Sequence, residues 1–253
     1  MSDEYLKNVI NKYHVNKEID VYTQYFVINP IKEQLRNWAG IYVHDIKISG
    51  SRAKGTALNI TSDIDLFISI SSAYNGTLKY MYDSLYSHMV NAGYKSRKQN
   101  VSIGIEYNGH SIDLVPGRKY SGNTNYHSLY LNKRDSWTQT NIDQHINLVK
   151  NSGRINEIVL LKIWKKLHEL EFPSIYLELI TIEALKYKLK NDLANNFWHL
   201  LKFLSENIVT LRVIDPSNSN NVISEDLFKY EKEAIARKAS ACLNEQYWKS
   251  IVW

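Results

Sequence analysis

Residues 46–65 constrain the fold of this chain more than any other stretch, because a short turn rich in small residues joins two alternating hydrophobic segments. The apolar positions recur every second residue on both sides of the turn: Ile46 and Ile48, then Ile64, Leu66, Ile68 and Ile70. A period of two residues predicts half-buried β-strands. The stretch therefore predicts a strand, a tight turn and a second strand.

Two carboxylates open the second predicted strand. Residues two apart in a strand share a face, so Asp63 and Asp65 should project together, away from the face that buries Ile64. Neighbouring carboxylates repel each other unless a cation lies between them. Hard divalent cations such as Mg²⁺ prefer oxygen ligands of this kind and often share them with substrate phosphates. The pair therefore predicts a metal site.

The turn itself has the composition of a phosphate-binding loop. Gly50 lets the backbone approach a bulky anion, and the Ser51 hydroxyl together with backbone N–H groups can hold phosphate oxygens. Gly55 and Thr56 close the turn. We therefore expect Gly50 and Ser51 to bind the phosphates of a nucleotide beside the carboxylate pair.

A third carboxylate follows a predicted hairpin. Asn108-Gly109 is a strong hairpin signal, and Asp113 stands between Ile112 and Leu114 on the returning strand. Alternation directs Asp113 to the face opposite these two residues, where burying a carboxylate is costly unless it is paired or coordinated. Asp113 is therefore predicted to join the metal site.

The combined pattern Gly-Ser-x3-Gly-Thr-x6-Asp-x-Asp, from Gly50 to Asp65, resembles the signature of the DNA polymerase β-like nucleotidyltransferases. The resemblance implies transfer of a nucleoside monophosphate from a nucleoside triphosphate to a hydroxyl, with release of pyrophosphate. It also implies two Mg²⁺ ions, or Mn²⁺ in their place. Asp63, Asp65 and Asp113 would hold one ion that activates the hydroxyl, and Asp63 and Asp65 would hold a second at the triphosphate.

Later motifs resemble the template-independent branch of that superfamily, in residues 160–166 and 173–178. By this resemblance Lys162 and Ser174 would hold the triphosphate, and Tyr176 would stack on the base. This branch includes 2′-5′ oligoadenylate synthetases, bacterial relatives of cyclic GMP-AMP synthase and archaeal-type CCA-adding enzymes. It implies an α+β fold in which a mixed-sheet catalytic lobe packs against a helical lobe, with the active site in the cleft.

The expected domains are a catalytic lobe with N-terminal helices, residues 1–140, and a helical lobe, residues 141–253. Helical spacing predicts two helices within residues 4–39, broken near residues 15–17, and a third that stops at Gly93. Residues 121–140 are expected to cross irregularly to the second lobe. The helices predicted there cover residues 142–150, 155–170, 175–190 with Ser174 as N-cap, and 193–207.

Composition limits the protein class. The chain has 253 residues, 44% hydrophobic residues and only four prolines, which favours a globular fold. No run approaches the roughly 18 apolar residues that a membrane span needs, and residues 1–4 lack the basic start of a signal peptide. The single cysteine, Cys242, fits a reducing compartment. We therefore expect a cytoplasmic protein without membrane association.

Three functions stay open at this point. The first is a synthase that joins nucleoside triphosphates into a short linear or cyclic oligonucleotide signal, as in antiviral defence. The second is a terminal transferase that extends RNA such as tRNA, and the third is an inactive nucleotide-binding module. An aminoglycoside-type transferase fits the later motifs less well. The net charge of +5 suits a nucleotide or short oligonucleotide acceptor better than long RNA. Base choice, linkage and oligomeric state are left open.

Overall fold

The computed structural model describes residues 2–15, 19–60 and 63–253. Its helices are α1 (Asp3–Tyr13), α2 (Val21–Thr23), α3 (Asn29–Ala39), α4 (Gly50–Lys54), α5 (Leu78–Asn91), α6 (Ile142–Asn151), α7 (Ile155–Leu167), α8 (Ser174–Ala184), α9 (Leu193–Asn207) and α10 (Lys229–Cys242). Its strands are β1 (Val43–Ile48), β2 (Ile64–Ile70), β3 (Lys95–Lys98), β4 (Ile103–Tyr107), β5 (His110–Lys119), β6 (His127–Leu131) and β7 (Ser136–Thr140). No helix among these residues is long and apolar enough to cross a bilayer.

The strands form one mixed sheet in the order β1-β2-β5-β4-β3, and β6 pairs with β5 and with β7. β2 and β5 run parallel, whereas the other pairs are antiparallel. Asn108 and Gly109 form the predicted β4–β5 turn with φ values of 47° and 76°. The α+β fold with a mixed sheet is therefore confirmed.

One compact unit contains the sheet. It comprises the described residues in 19–55 and 63–146. The alternating apolar residues of β2 and β5 lie on a single sheet face, which packs against α3 and α5. The fully or almost fully buried residues of this core include Ile64, Leu66, Ile68, Ile112, Leu114, Leu35, Met81 and Leu85. Burial of this face directs the intervening side chains of β2 and β5 to the other face of the sheet.

The other unit is helical. It comprises the described residues up to Val15, Thr56–Ile60 and Asn147–Trp253. Its core joins residues of α1, α7, α8, α9 and α10. Both N-terminal helices were predicted to belong with the sheet, but α1 belongs to the helical unit. Its buried residues pack in the helical core: Leu6, Val9, Ile10 and Tyr13.

Residues 121–140 do not cross irregularly, as the sequence analysis expected. They contain β6 and β7, which pair antiparallel with Leu129 opposite Thr138. Residues 127–130 are all buried, although neighbouring strand residues point to opposite faces. Because this strand is covered on both faces, it lacks the alternation that marks a half-buried strand.

The helix predicted over residues 175–190 ends earlier, at Ala184. The buried Arg154 guanidinium donates hydrogen bonds to the backbone carbonyls of Leu185, Lys188 and Leu189, which replace helical partners at this end. At the other end, Pro173 occupies the N-cap position predicted for Ser174. The predicted break near residues 15–17 falls partly on residues 16–18, which lie outside the described residues.

Candidate active site

The turn after β1 brings Gly50 against a carboxylate. Gly50 opens the short helix α4 with a φ of +58°, in a region that favours glycine. A Cβ atom built on Gly50 would lie 1.8 Å from Oδ2 of Asp65. The neighbouring Ser49 N–H donates to the Asp65 carbonyl oxygen over 2.8 Å, which ties the turn to the start of β2. Only a residue without a side chain fits beside Asp65.

Asp65 and Asp113 are direct neighbours in the sheet. They are register partners in the parallel pair β2–β5, and adjacent strands lie about 4.8 Å apart. Both residues are half-buried, and both project from the face opposite the buried core residues. Asp63 immediately precedes β2 and is also half-buried. The structure therefore places Asp65 and Asp113 side by side on two interior strands of the sheet, with Asp63 immediately before β2.

The electrostatics of Asp113 reflect this crowding. Burial raises the pKa of the Asp113 carboxyl, and the negative charge of Asp63 raises it further. The Arg97 guanidinium and hydrogen bonds from Gln99 and Ser102 act in the opposite direction. Asp63 and Asp113 are therefore close enough to repel each other, which is the condition that a cation would relieve.

The donor set fits a divalent cation that is bound together with a nucleotide. Within residues 2–15, 19–60 and 63–253, no three His, Cys, Asp or Glu side chains are gathered tightly enough to hold an ion alone. Carboxylates on neighbouring strands offer oxygen ligands, and Mg²⁺ commonly combines one or two carboxylates with substrate phosphates and water. The residues therefore match a shared metal site rather than a closed protein cage.

Ser51 lies half-buried in α4, one residue after Gly50. The helix has only five residues, so its N-terminal N–H groups do not form an anion site by themselves. Its last residue is followed by Gly55 with a φ of 74°, which ends the helix in the left-handed conformation.

The predicted triphosphate lysine is part of a buried ion pair in the helical unit. Lys162 is 9% exposed, and its Nζ donates to Thr56 Oγ1 over 2.8 Å and to Glu178 Oε1 over 3.0 Å. Glu178 has no exposed surface. Neither partner of Lys162 was among the functional residues predicted from the sequence. Thr56 belongs to the signature, and Glu178 lies within the later motif, so the pair links two sequence motifs.

The other two predicted nucleotide-binding residues lie in α8 and differ in exposure. Ser174 is exposed at the first position of the helix. Tyr176 is fully buried, and its ring lies edge-on to Phe172 with 6.5 Å between the ring centroids. Burial raises the pKa of Tyr176 to about 12. In this structure Tyr176 is a core residue without an exposed ring face, so the prediction of base stacking is corrected.

Comparison with known proteins supports the predicted resemblance. No family model matches the chain. A cyclic AMP-AMP-AMP synthase of Escherichia coli is 30% identical over an alignment of 159 residues, which covers 57% of this chain and 49% of the relative. The match thus spans about half the length of that curated relative.

Solved structures show the fold over nearly the whole chain. CdnC of Escherichia coli MS115-1 with ATP has a TM-score of 0.76 at 21% identity, covering 95% of this chain and 89% of CdnC. The CD-NTase CdnG of Bradyrhizobium diazoefficiens with GTP has a TM-score of 0.75 at 12% identity, covering 94% and 89%. The Cid1 poly(U) polymerase with MgATP has a TM-score of 0.72 at 13% identity, covering 98% and 97%. The chain therefore has the fold of these nucleotidyltransferases, as its sequence motifs predicted.

Proposed function

We propose that this chain is a divalent-metal-dependent nucleotidyltransferase that joins nucleoside triphosphates into a short linear or cyclic oligonucleotide signal. The observation that carries the proposal is that Asp65 and Asp113 are register partners on adjacent strands. Gly50 lies against Asp65, and Asp63 is two residues before it in the chain. The likeness to a cyclic trinucleotide synthase supports this product class over extension of tRNA. The single cysteine agrees with action in the cytoplasm.

In this proposal, the three aspartates bind metal ions and the turn at Gly50 and Ser51 binds the phosphates. Asp63, Asp65 and Asp113 would hold one Mg²⁺ ion, and Asp63 and Asp65 a second. When bound, the ions lower the pKa of the attacking hydroxyl and neutralise charge on the triphosphate. Gly50 gives the phosphates access to the backbone of the turn, where N–H groups and the Ser51 hydroxyl can donate to them.

The helical residues have supporting roles in this proposal. Ser174 is exposed at the start of α8, so it remains our candidate for a triphosphate contact. Lys162 remains a second candidate, but the structure also gives it a structural role, because its ammonium group holds Thr56 beside Glu178. We therefore expect Ser174 to affect nucleotide affinity alone and Lys162 to affect both affinity and stability.

The product of the purified chain tests the proposal. Labelled nucleoside triphosphates are supplied singly and in pairs with Mg²⁺ or Mn²⁺, with and without tRNA, and the products are resolved by chromatography and phosphatase treatment. We expect short oligonucleotides from the wild type and none from Asp65→Asn, which removes a charge at nearly constant volume. Label found only in tRNA would support the terminal transferase, and nucleotide binding without turnover would support the inactive module.

A further inference from the structure

A glutamine amide holds the third carboxylate of the site. Gln99 lies in the loop between β3 and β4, and its Nε2 donates to Oδ1 of Asp113 over 2.7 Å. A hydrogen bond to an ionised acceptor is shorter and stronger than one between neutral groups. The bond therefore restrains the orientation of the Asp113 carboxylate by occupying one of its two oxygens.

A glycine in β4 makes this contact sterically accessible. Gly104 is the register partner of Asp113 on β4, and Arg97 is the register partner of Gly104 on β3. A Cβ atom at Gly104 would lie 2.6 Å from Gln99 Nε2 and 2.7 Å from Arg97 Nε. Gly104 has no left-handed φ that would itself require glycine. The space above Gly104 is therefore what lets Gln99 reach across β4 to Asp113.

The backbone of Gln99 is itself fixed. Its N–H donates to the Ser102 carbonyl oxygen over 2.9 Å, and its carbonyl oxygen accepts from the Tyr82 hydroxyl over 2.7 Å. Tyr82 is fully buried in α5, and its hydroxyl also lies 3.1 Å from the Ser102 carbonyl oxygen. The backbone that carries the Gln99 side-chain amide is thus hydrogen-bonded to the core of the sheet unit, as expected for a residue that orients another side chain.

We infer that Gln99 is a positioning residue for Asp113, holding one carboxylate oxygen through the space above Gly104 so that the other can bind a divalent cation. This inference rests on the proposed function. A purely structural role would instead make the bond a means of satisfying a half-buried carboxylate. The two roles predict different losses when Gln99 is removed. Loss of a positioning residue weakens metal affinity and turnover, whereas loss of a purely structural hydrogen bond lowers the stability of the fold.

Two substitutions test the contact from opposite sides. Gln99→Ala removes the Gln99 donor and leaves the hydrogen bond between Ser102 and Asp113. Gly104→Ala keeps Gln99 but fills the space that its amide and the Arg97 guanidinium occupy. Lys95→Ala is the control, because Lys95 is an exposed residue of β3 whose ammonium group lies 3.2 Å from Glu106. Mn²⁺ binding with a non-hydrolysable ATP analogue is followed by the electron paramagnetic resonance signal of free Mn²⁺, alongside turnover and thermal unfolding of each full chain.

We expect both test variants to weaken Mn²⁺ binding or turnover by about 10- to 100-fold, as for other residues that orient metal ligands. Lys95→Ala should match the wild type. Gln99→Ala should melt within a few degrees of the wild type, which keeps the test valid even if Gly104→Ala unfolds. Wild-type Mn²⁺ affinity and turnover in Gln99→Ala would overturn the inference alone. A wild-type chain that binds no Mn²⁺ with the analogue would overturn both the inference and the proposed function.

Discussion

At the scale of single residues, Gly50 controls the position of Asp65. We predict that Gly50→Ala lowers turnover by at least about 100-fold, because the new Cβ would lie 1.8 Å from Asp65 Oδ2 and must displace a proposed metal ligand. Because alanine is strained at this positive φ, we also expect the free energy of unfolding to fall by about 1–3 kcal/mol. Turnover and urea unfolding measured on the same preparation check both effects.

Gly122→Ala is the matched control for backbone strain. Gly122 has a φ of +85°, and no atom lies within 4 Å of a Cβ placed there. This variant should lose stability through its backbone but retain turnover. If Gly50→Ala turned over as fast as Gly122→Ala, the close approach of Gly50 to Asp65 would have no catalytic meaning.

The Lys162–Glu178 pair leads to a prediction about stability. Lys162→Met should lower the free energy of unfolding by about 3–5 kcal/mol, because it leaves the carboxylate of Glu178 buried without this cation. Combining Lys162→Met with Glu178→Met should recover most of the loss, since both buried charges are then removed. Urea unfolding of the two variants checks the prediction, and a negligible loss in Lys162→Met would contradict the assigned ion pair.

At the scale of secondary-structure elements, α5 is tied to the β3–β4 loop by one hydroxyl. Tyr82→Phe keeps the buried ring but removes the donor to the carbonyl oxygens of Gln99 and Ser102. We predict a loss of about 1–3 kcal/mol in the free energy of unfolding, because the Gln99 carbonyl oxygen loses this donor, whereas the Ser102 carbonyl oxygen keeps the Gln99 N–H. Tyr80→Phe, on an exposed residue of the same helix, is the control. Equal stability of the two variants in urea would contradict the prediction.

The strands of the site were predictable because their sequences alternate. Ile64, Leu66, Ile68 and Ile70 recur every second residue despite the apolar Phe67 between them, as do Ile112 and Leu114, and Asn108-Gly109 indicates the turn before β5. Once β2 and β5 are neighbours, their core faces leave Asp65 and Asp113 on the same opposite face. The convergence of these two carboxylates therefore follows from local patterns and one strand pairing.

Other features depend on contacts that no local pattern encodes. The apolar stripe of α1 shows that the helix packs, but not which core it joins. The end of α8 at Ala184 depends on Arg154, which precedes α7. Its guanidinium donates hydrogen bonds to the backbone carbonyl oxygens of Leu185 and Leu189, which follow the helix. The partners of Lys162 and the contact from Gln99 likewise depend on residues distant in sequence, so side-chain pairing was the part that the sequence could not predict.

At the scale of the whole molecule, a buried histidine affects stability at acidic pH. His127 joins β6 to β2: its Nδ1–H donates to the Asn125 carbonyl oxygen over 2.9 Å, which leaves Nε2 to accept from the Ser69 hydroxyl over 2.8 Å. This arrangement requires the neutral imidazole, because a protonated ring has no acceptor for Ser69. Burial accordingly lowers the pKa of His127 to about 4.

The surrounding charges largely support the neutral form. Lys47 and Lys119 lower the pKa of His127 further, against the opposing charge of Asp143. Because the ordinary histidine value of 6.5 applies to the unfolded chain, the unfolded state binds a proton first as the pH falls. The contribution of neutral His127 to the free energy of unfolding is therefore fully present above pH 6.5 and is lost as the pH falls toward 4.

We predict that this histidine lowers the free energy of unfolding by up to about 3 kcal/mol between neutral pH and pH 4. Urea unfolding of the wild type and His127→Gln at several pH values measures the effect. The variant should be less stable at neutral pH but should show a smaller decrease on acidification. An equal decrease in both proteins would assign the acid sensitivity to other groups.

Asp113 decides whether the proposed site exists, since it comes from a distant part of the chain and lies beside Asp65 only because β2 and β5 pair in parallel. The most direct measurement is Mg²⁺-dependent turnover of labelled nucleoside triphosphates by wild type and Asp113→Asn, with circular dichroism of both. We predict that Asp113→Asn keeps the fold and loses turnover by at least about 100-fold, because a proposed metal ligand loses its charge. A folded Asp113→Asn protein that turns over nucleotides at the wild-type rate would contradict it.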